Sequence, residues 1–200
     1  MVSWVTAVKE FQHRRFAQTY ADLLAQPRYA RAVRFFLEEL YGPHDFSQRD
    51  KQFARVVPAL VRLFPREIVA TVDELARLHA LSERLDSAMA LVLASDKLDG
   101  NGYAGAWRAV GEPGLREQQI ALTVSVGQAL DRYTRRALLR NTLRLLRGPA
   151  QAAGLSALQH FLETGFDTFK ALGGAAEFLA TVGERERALA ARLFAGGGLV

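Results

Sequence analysis

Residues 65–95 read PREIVATVDELARLHALSERLDSAMALVLAS, and this stretch decides the fold. Its apolar residues recur every three or four positions, which places them on one face of an α-helix. They are Ile68, Val72, Leu75, Leu78, Leu85, Met89 and Leu93. Pro65 suits the first position of a helix, because the amide hydrogen that proline lacks would have no partner there. The stretch therefore predicts a long helix that buries one face.

The same spacing continues through most of the chain, and no sustained alternation of apolar and polar residues supports a strand. Proline and glycine residues mark the breaks. The expected helices cover residues 4–26, 27–41, 47–64, 65–95, a short piece around Trp107, 115–147, 155–172 and 175–194. Pro58 should bend the third helix, and Gly173-Gly174 should join the last two in a tight hairpin. The prediction is an all-α bundle of seven or eight helices, a single domain over 1–195 with a loose tail at 196–200.

The composition excludes several classes of site. The chain has no cysteine, which excludes a disulfide framework, a zinc–thiolate site, an iron–sulfur cluster and a thiol nucleophile. It has no run of 18 apolar residues and no apolar segment behind a basic N-terminus, so we expect a cytoplasmic protein that does not span a membrane. Arginine supplies 22 of the 26 basic residues, a usage typical of GC-rich bacterial genomes.

Two stretches resemble a known family. They are FFLEELYGPHDFSQRD over residues 35–50 and FLETGFDTFKALGGAAEFLATVGERE over residues 161–186. Both are similar to segments of an uncharacterised family of all-helical bacterial cytoplasmic proteins, a domain of unknown function. The resemblance extends over most of the chain. It implies a helical cytoplasmic protein and carries no catalytic or binding residues.

Polar side chains interrupt the apolar faces of two predicted helices. His79, Ser82 and Asp86 fall inside the apolar stripe of 65–95 when each residue is turned by about 100°. Glu186 falls on the apolar side of the last helix in the same way. A buried carboxylate needs a charged or hydrogen-bonded partner, so we expect Asp86 to be at least partly buried beside one. The four residues form either a structural polar network or a candidate ligand-binding site.

Metal and cofactor sites find little support in the sequence. One Glu10-x-x-His13 motif is present, whereas a di-iron centre in a helical bundle needs two. Residues 97–102 resemble a calcium-binding loop, but Lys97 and Arg108 stand where the loop requires acidic ligands. We expect no metal and no cofactor. A haem is the alternative, because a histidine on an inner helix face, His79, is the type of residue that ligates haem iron.

A line of arginines marks the predicted helix 115–147. Its members recur at spacings of four, four, four and three, hence on one side of the helix. They are Arg132, Arg136, Arg140, Arg144 and Arg147. This basic stripe is a candidate surface for phosphates or an acidic protein, and the alternative is a solvated face that complements the helix C-terminus. We expect no nucleic-acid binding, because the sequence has no helix-turn-helix signature, no aromatic interleaving and no basic tail.

The common signatures of enzymes are absent from the sequence: it has no phosphate loop, no dinucleotide fingerprint and no nucleophile elbow. The leading interpretation is a non-catalytic binding, scaffolding or regulatory protein. The alternative is a helical ligand- or haem-binding domain with a polar site around His79 and Asp86. An enzyme that uses these two residues ranks third.

A protein partner or self-association is the expected mode of action. Helical domains without a small-molecule motif often act through a helix face, so we expect a homodimer. The candidate surfaces are the helix 115–147 and the C-terminal hairpin. The hairpin offers aromatic area of the kind enriched in interface cores, from Phe161, Phe166 and Phe178.

Overall fold

The computed structural model describes residues 4–40, 51–56, 65–93 and 98–199. These residues are helical almost throughout and include no strand, which confirms the all-α prediction. The helices are α1 (Trp4–Thr19), α2 (Ala21–Leu24), α3 (Pro27–Phe35), α4 (51–56), α5 (Arg66–Val92), α6 (Gly100–Val110), α7 (Pro113–Thr134), α8 (Ala137–Leu145), α9 (Arg147–Ala152), α10 (Ser156–Leu172) and α11 (Ala176–Phe194). Eight of these described helices have seven residues or more, as predicted. The predicted bend at Pro58 lies outside the described residues.

Local chemistry explains several helix ends. Pro27 begins α3, where its missing amide hydrogen costs nothing. The carboxylate of Asp99 accepts a hydrogen bond of 2.8 Å from the amide of Gly102 and so caps the N-terminus of α6. Gly111 then ends α6 with φ of +70°, a value that glycine adopts without strain. α3 continues into a π-helical turn, Phe36–Leu40.

Helix α7 is the centre of the fold. It packs against α5, α10 and α11, while α5 also packs against α1 and α6. Two clusters of buried side chains result. The first core joins α1, α3, α10 and α11 and includes Phe16, Tyr20, Phe36, Phe169 and Phe178. The second core joins α1, α5, α6 and α11 and includes Val8, Met89, Tyr103, Trp107 and Leu193. Each large side chain buried in this way contributes roughly 1.5–3 kcal/mol.

The prediction that the last two helices form a tight hairpin is wrong. Helices α10 and α11 do not pack along each other, and each packs against α7 instead. Gly173 and Gly174 join them with φ of +67° and +133°, so the chain turns sharply there. Side chains from α3 lie against both helices: Phe35 contacts the Gly165 backbone of α10, and the Tyr29 ring lies 6.2 Å from that of Phe178 in α11.

The prediction of a single helix over residues 115–147 is also wrong. The chain leaves the helical conformation at Arg136, which has extended backbone angles, and α8 begins at the next residue. No glycine or proline marks this break. Tertiary contacts fix it instead: the Asp131 carboxylate accepts a hydrogen bond from the amide of Ala175 at the start of α11, and the Tyr133 hydroxyl donates to the Glu67 carbonyl.

At the C-terminal end, residues 196–199 fold back onto α11. The Arg192 guanidinium donates a hydrogen bond of 2.9 Å to the Leu199 carbonyl, and the Leu199 side chain packs against the second core. Along the described part of the chain, none of the helices combines the length and apolar character that crossing a bilayer requires.

Helices α7 and α11 are in close contact between Gly127 of α7 and Leu179 of α11. A Cβ built on Gly127 would lie 2.5 Å from Leu179 Cδ2, and Leu179 is itself buried. We expect Gly127→Ala to destabilise the protein by about 1–3 kcal/mol through overpacking, although alanine is the better helix former. Denaturant unfolding measures this change.

Gly105 of α6 is the matched control, because a Cβ built there meets nothing within 4 Å. Gly105→Ala should stabilise the protein by up to about 1 kcal/mol through helix propensity alone. Equal effects of the two substitutions would mean that α7 and α11 are not in close contact at Gly127.

Candidate functional site

A large cavity lies between α5, α7 and α10 and is completed by residues of α3, α4, α8 and α9. Its volume is about 460 Å³. This is within the range of roughly 300–1,000 Å³ that pockets for small molecules occupy. The α5 side of its wall comes from the predicted apolar stripe, through Ile68, Val72, Leu75 and Leu78. We call this space the apolar cavity.

The few polar groups of the apolar cavity already have hydrogen-bond partners within the protein. The Tyr133 hydroxyl lies 2.8 Å from the Thr71 hydroxyl and donates to the Glu67 carbonyl. The hydroxyls of Thr123 and Thr142 donate to carbonyls one turn earlier in their own helices. The amide of Gln159 donates to the Leu143 carbonyl and to the Glu163 carboxylate. Within the described residues, no Asp, Glu, Lys, Arg or His side chain lines this cavity, so its wall favours a hydrocarbon-like molecule.

A second, much smaller cavity of about 30 Å³ lies between α1, α6, α7 and α11. Eight of the ten described residues around it carry a polar side-chain group, and we call it the polar cavity. The residues around it are Gln12, Arg15, Tyr103, Trp107, Arg116, Gln119, Ile120, Thr123, Val182 and Glu186. Since one water needs about 10–15 Å³ by such a measure, the space corresponds to about two water-sized positions.

Asp86 lies beside this polar cavity and is buried, as predicted. The Gln12 amide donates a hydrogen bond of 2.8 Å to its carboxylate. Burial raises the pKa of the Asp86 carboxyl, and the Gln12 hydrogen bond and the positive charges of Arg116 and Lys9 only partly oppose this effect. The raised pKa means that the fold favours the protonated carboxyl.

Glu186 belongs to an ion pair on the α11 side of the polar cavity. Its carboxylate accepts hydrogen bonds of 2.5 Å from the Arg15 guanidinium and 2.9 Å from the Tyr20 hydroxyl. Both members of the pair are largely shielded from solvent. This pairing explains how an acidic residue on the apolar side of α11 is accommodated.

Arg116 forms the α7 side of the polar cavity and is almost fully buried. Its guanidinium stacks on the Trp107 ring, 3.8 Å from the centroid, and donates to the Gln119 side chain and the Met89 sulfur. Gln119 in turn donates a hydrogen bond of 2.8 Å to the Ser82 hydroxyl. A cationic, planar group is therefore held against an aromatic face inside the protein.

Besides the Arg15 Nε, whose guanidinium is paired with Glu186, two polar atoms of the polar cavity wall have no hydrogen-bond partner in the described structure. They are the Tyr103 hydroxyl and the Trp107 indole nitrogen, in side chains that are 0% and 7% exposed. A buried donor without a partner costs about 1–3 kcal/mol, so such groups are rare in native proteins. The indole N–H can only donate, so a ligand that satisfies it must offer an acceptor, and the hydroxyl can donate to an acceptor as well.

The structure brings three of the four predicted ligand-binding residues to this region. Asp86 and Glu186 are buried or shielded beside the polar cavity, and Ser82 bonds to one of its wall residues. His79 is exposed and lines neither described cavity, so its predicted inward position is wrong. In the described structure, polar side chains of α1 contact α5 at Glu83 and Asp86, further along the helix than His79.

Sequence reasoning missed most of the polar cavity wall: Gln12, Arg15, Tyr103, Trp107, Arg116 and Gln119. A signal was present in α1, where Gln12 and Arg15 follow Val8 at spacings of four and three and so share its buried face. Arg116 gave no comparable signal, because its burial depends on where α5 and α6 cross α7.

The predicted basic stripe is divided by the break between α7 and α8. Arg132 lies on α7, Arg140 and Arg144 on α8, and Arg147 on α9. Most members pair with carboxylates of other helices: Arg136 with Glu67, Arg140 with Asp167 at 2.8 Å, and Arg147 with Glu163 at 2.5 Å. The arginines therefore join helices to one another as well as facing solvent.

The aromatic residues considered for a dimer surface lie in the first core. Phe166 and Phe178 are buried, and Phe161 packs against the core. Phe178 therefore forms part of the first core, with Phe161 packed against it. Among the described residues, no group of three or more His, Asp or Glu side chains is arranged to hold a metal ion.

The raised pKa of Asp86 gives a testable pH dependence. A carboxyl whose folded pKa exceeds its unfolded pKa contributes stability that is present below the unfolded value and is lost as pH rises through the folded value. Asp86→Asn stays neutral and keeps an oxygen to accept from Gln12. We expect this variant to gain stability over the wild type at about pH 8, and the gain to shrink as pH falls to about 4.

Denaturant midpoints at the two pH values test this expectation. Asp73→Asn is the control, because Asp73 lies on the same helix but is solvent-exposed beside Arg77. It should show no comparable trend. An Asp86→Asn variant that is less stable than wild type at both pH values would contradict the burial effect.

The comparisons with known proteins identify a family and nothing more specific. A family model described as "Domain of unknown function (DUF8198)" matches residues 1–198. No curated protein and no solved structure matches the chain. The family resemblance seen in residues 35–50 and 161–186 is thereby confirmed.

Proposed function

The chain belongs to this family of unassigned function, and we propose that it is a non-catalytic protein that binds an apolar ligand in the apolar cavity. The observation that carries this proposal is a space of about 460 Å³ whose polar wall groups are all engaged within the protein. The arginine-rich composition favours a bacterial origin, and we place this role in the cytoplasm.

The chemistry of the wall supports binding over catalysis. General acid–base or nucleophilic catalysis needs a titratable or activated group within reach of the substrate. The described wall of the apolar cavity consists of hydrocarbon, a few hydroxyls and one amide. The hydroxyls and the amide already donate hydrogen bonds to acceptors of the protein. Affinity then comes from removing apolar ligand surface from water, worth about 25 cal/mol per Å².

We expect the protein to bind an environment-sensitive apolar fluorophore such as 1-anilinonaphthalene-8-sulfonate at one site per chain. Val72 of α5 lines the apolar cavity, and Val72→Phe adds bulk to its wall. This substitution should weaken fluorophore binding about 10-fold or more, because the ligand loses apolar contact area. A fluorescence titration measures the change.

Val92→Phe is the matched control, since Val92 lies on the same helix but is exposed and does not line the cavity. It should bind the fluorophore as the wild type does. Equal loss in both variants, or no saturable binding by the wild-type protein, would refute a ligand site in the apolar cavity.

Self-association is a second proposal, and the exposed leucines of α8 favour it. Leu138 and Leu145 lie seven residues apart, hence on the same side of α8, and are 77% and 79% exposed. Leu146 nearby is also exposed. Contiguous exposed apolar side chains are typical of association surfaces. A second copy of the chain, packed on this side of α8, would bury them.

We expect light scattering at micromolar concentration to give twice the monomer mass of 22.1 kDa. Leu138→Ser combined with Leu145→Ser should shift the mass to that of the monomer, because the interface loses its apolar area. Leu91→Ser is the control, since Leu91 is 87% exposed on α5. A monomeric wild-type protein would contradict self-association and leave the ligand proposal untouched.

A further inference from the structure

The apolar and polar cavities adjoin each other. Thr123 of α7 is part of both walls, and its hydroxyl donates a hydrogen bond to the Gln119 carbonyl. From Thr123 the apolar cavity extends toward Tyr133, and the polar cavity extends toward Arg116. At a rise of about 1.5 Å per residue, the two ends of this path lie roughly 25 Å apart along α7. A molecule that occupied both cavities would run along this side of α7 past Thr123.

The side-chain contacts between α5 and α7 mark the two ends of this path. Thr71 with Tyr133 and Glu74 with Ser125 mark the end of the helix pair that holds the apolar cavity. Ser82 with Gln119 and Met89 with Arg116 mark the end that holds the polar cavity. The helices run antiparallel, so the protein presents hydrocarbon at one end and a buried guanidinium at the other. This is the arrangement that an amphipathic chain requires.

The unsatisfied groups at the polar cavity specify what the polar end of the chain must be. The Tyr103 hydroxyl and the Trp107 indole nitrogen are both buried without a partner in the described structure. The indole N–H can only donate and the hydroxyl can also donate, so oxygen acceptors satisfy both groups. The space of about 30 Å³ admits about two water-sized atoms, which matches the two oxygens of a carboxylate and is too small for a phosphate diester or a sugar.

The charges around the polar cavity favour an anion there. Among the described residues of the wall, Arg15 is paired with the Glu186 carboxylate, which also accepts from Tyr20, so Arg116 supplies the positive charge that favours an anion. Asp86 lies beside the cavity, and its carboxyl already accepts a hydrogen bond from the Gln12 amide. A carboxylate that enters meets positive charge together with two available donors, and charge-assisted hydrogen bonds are the stronger kind.

Given the apolar ligand proposed above, we infer that this ligand is a fatty acid or a similar long-chain carboxylate. Its hydrocarbon tail occupies the apolar cavity. Its carboxylate lies in the polar cavity, where it accepts hydrogen bonds from Tyr103 and Trp107 beside Arg116. Binding of the carboxylate gives both donors an anionic acceptor.

Competition with the bound fluorophore tests the inference. The probes are dodecanoate and methyl dodecanoate, which share a tail but differ in charge. We expect the wild-type protein to bind dodecanoate at least about 10-fold more tightly than the ester, since a hydrogen bond to a charged group is worth at least that factor. Tyr103→Phe and Trp107→Phe should each remove most of this preference and leave the affinity for the ester unchanged.

Stability measurements separate recognition from folding. Tyr103→Phe removes a hydroxyl that has no partner, so the ligand-free variant should be at least as stable as the wild type. Trp4→Phe is the control for the tryptophan variant, because Trp4 is partly exposed and lines neither cavity. It leaves Trp107 as the single tryptophan, whose emission should change with dodecanoate and change less with the ester.

The outcomes distinguish this inference from the proposed function. If the fluorophore and the ester bind but dodecanoate shows no preference, the carboxylate assignment is wrong and the apolar cavity is still a ligand site. If the preference exists but survives both Tyr103→Phe and Trp107→Phe, the carboxylate is recognised elsewhere and the inference is wrong. If none of the three molecules binds, the proposed function fails.

Discussion

The close contact of Gly127 with Leu179 is the constraint on which the rest of the structure depends. Because α7 has no side chain at this position, α11 lies directly on it, and the buried Leu179 fills the space that a Cβ would need. With α11 on one side, α5 and α10 cover other sides of α7. Helices α10 and α11 consequently do not close against each other. The apolar cavity lies where α5, α7 and α10 meet side chains of α8 and α9.

Burial of charge is the second property that distinguishes this bundle. Arg15, Asp86 and Arg116 are all buried, although such groups are expensive to remove from water. Part of this cost is offset by the ion pair with Glu186, the hydrogen bond from Gln12 and the stacking on Trp107. The cost of burying the Tyr103 hydroxyl and the Trp107 nitrogen is not offset by any hydrogen bond in the described structure. A protein that retains such groups inside an otherwise apolar bundle has a polar site whose cost a ligand can reduce.

The sequence predicted the helices well and their arrangement poorly. The stripe of α5, the start of α3 at Pro27 and the break around Gly111 follow from local periodicity and turn chemistry, so each could be predicted. The break at Arg136 and the separation of α10 from α11 depend on contacts with distant helices, which leave no local pattern. The same holds for the site: Asp86 was predicted from its position on one helix, whereas Arg116 and Tyr103 become neighbours only through packing.

Methyl-resolved NMR of the protein during titration with dodecanoate tests the central claim most directly, because it locates the ligand without any substitution. The account predicts saturable shifts, at one equivalent per chain, in methyl groups of the apolar cavity wall such as Val72, Val126 and Leu143. Methyl groups on exposed surfaces, such as Leu91 and Leu138, should stay unchanged. Shifts confined to the exposed leucines, or no saturable shifts at all, would contradict a ligand site inside the bundle.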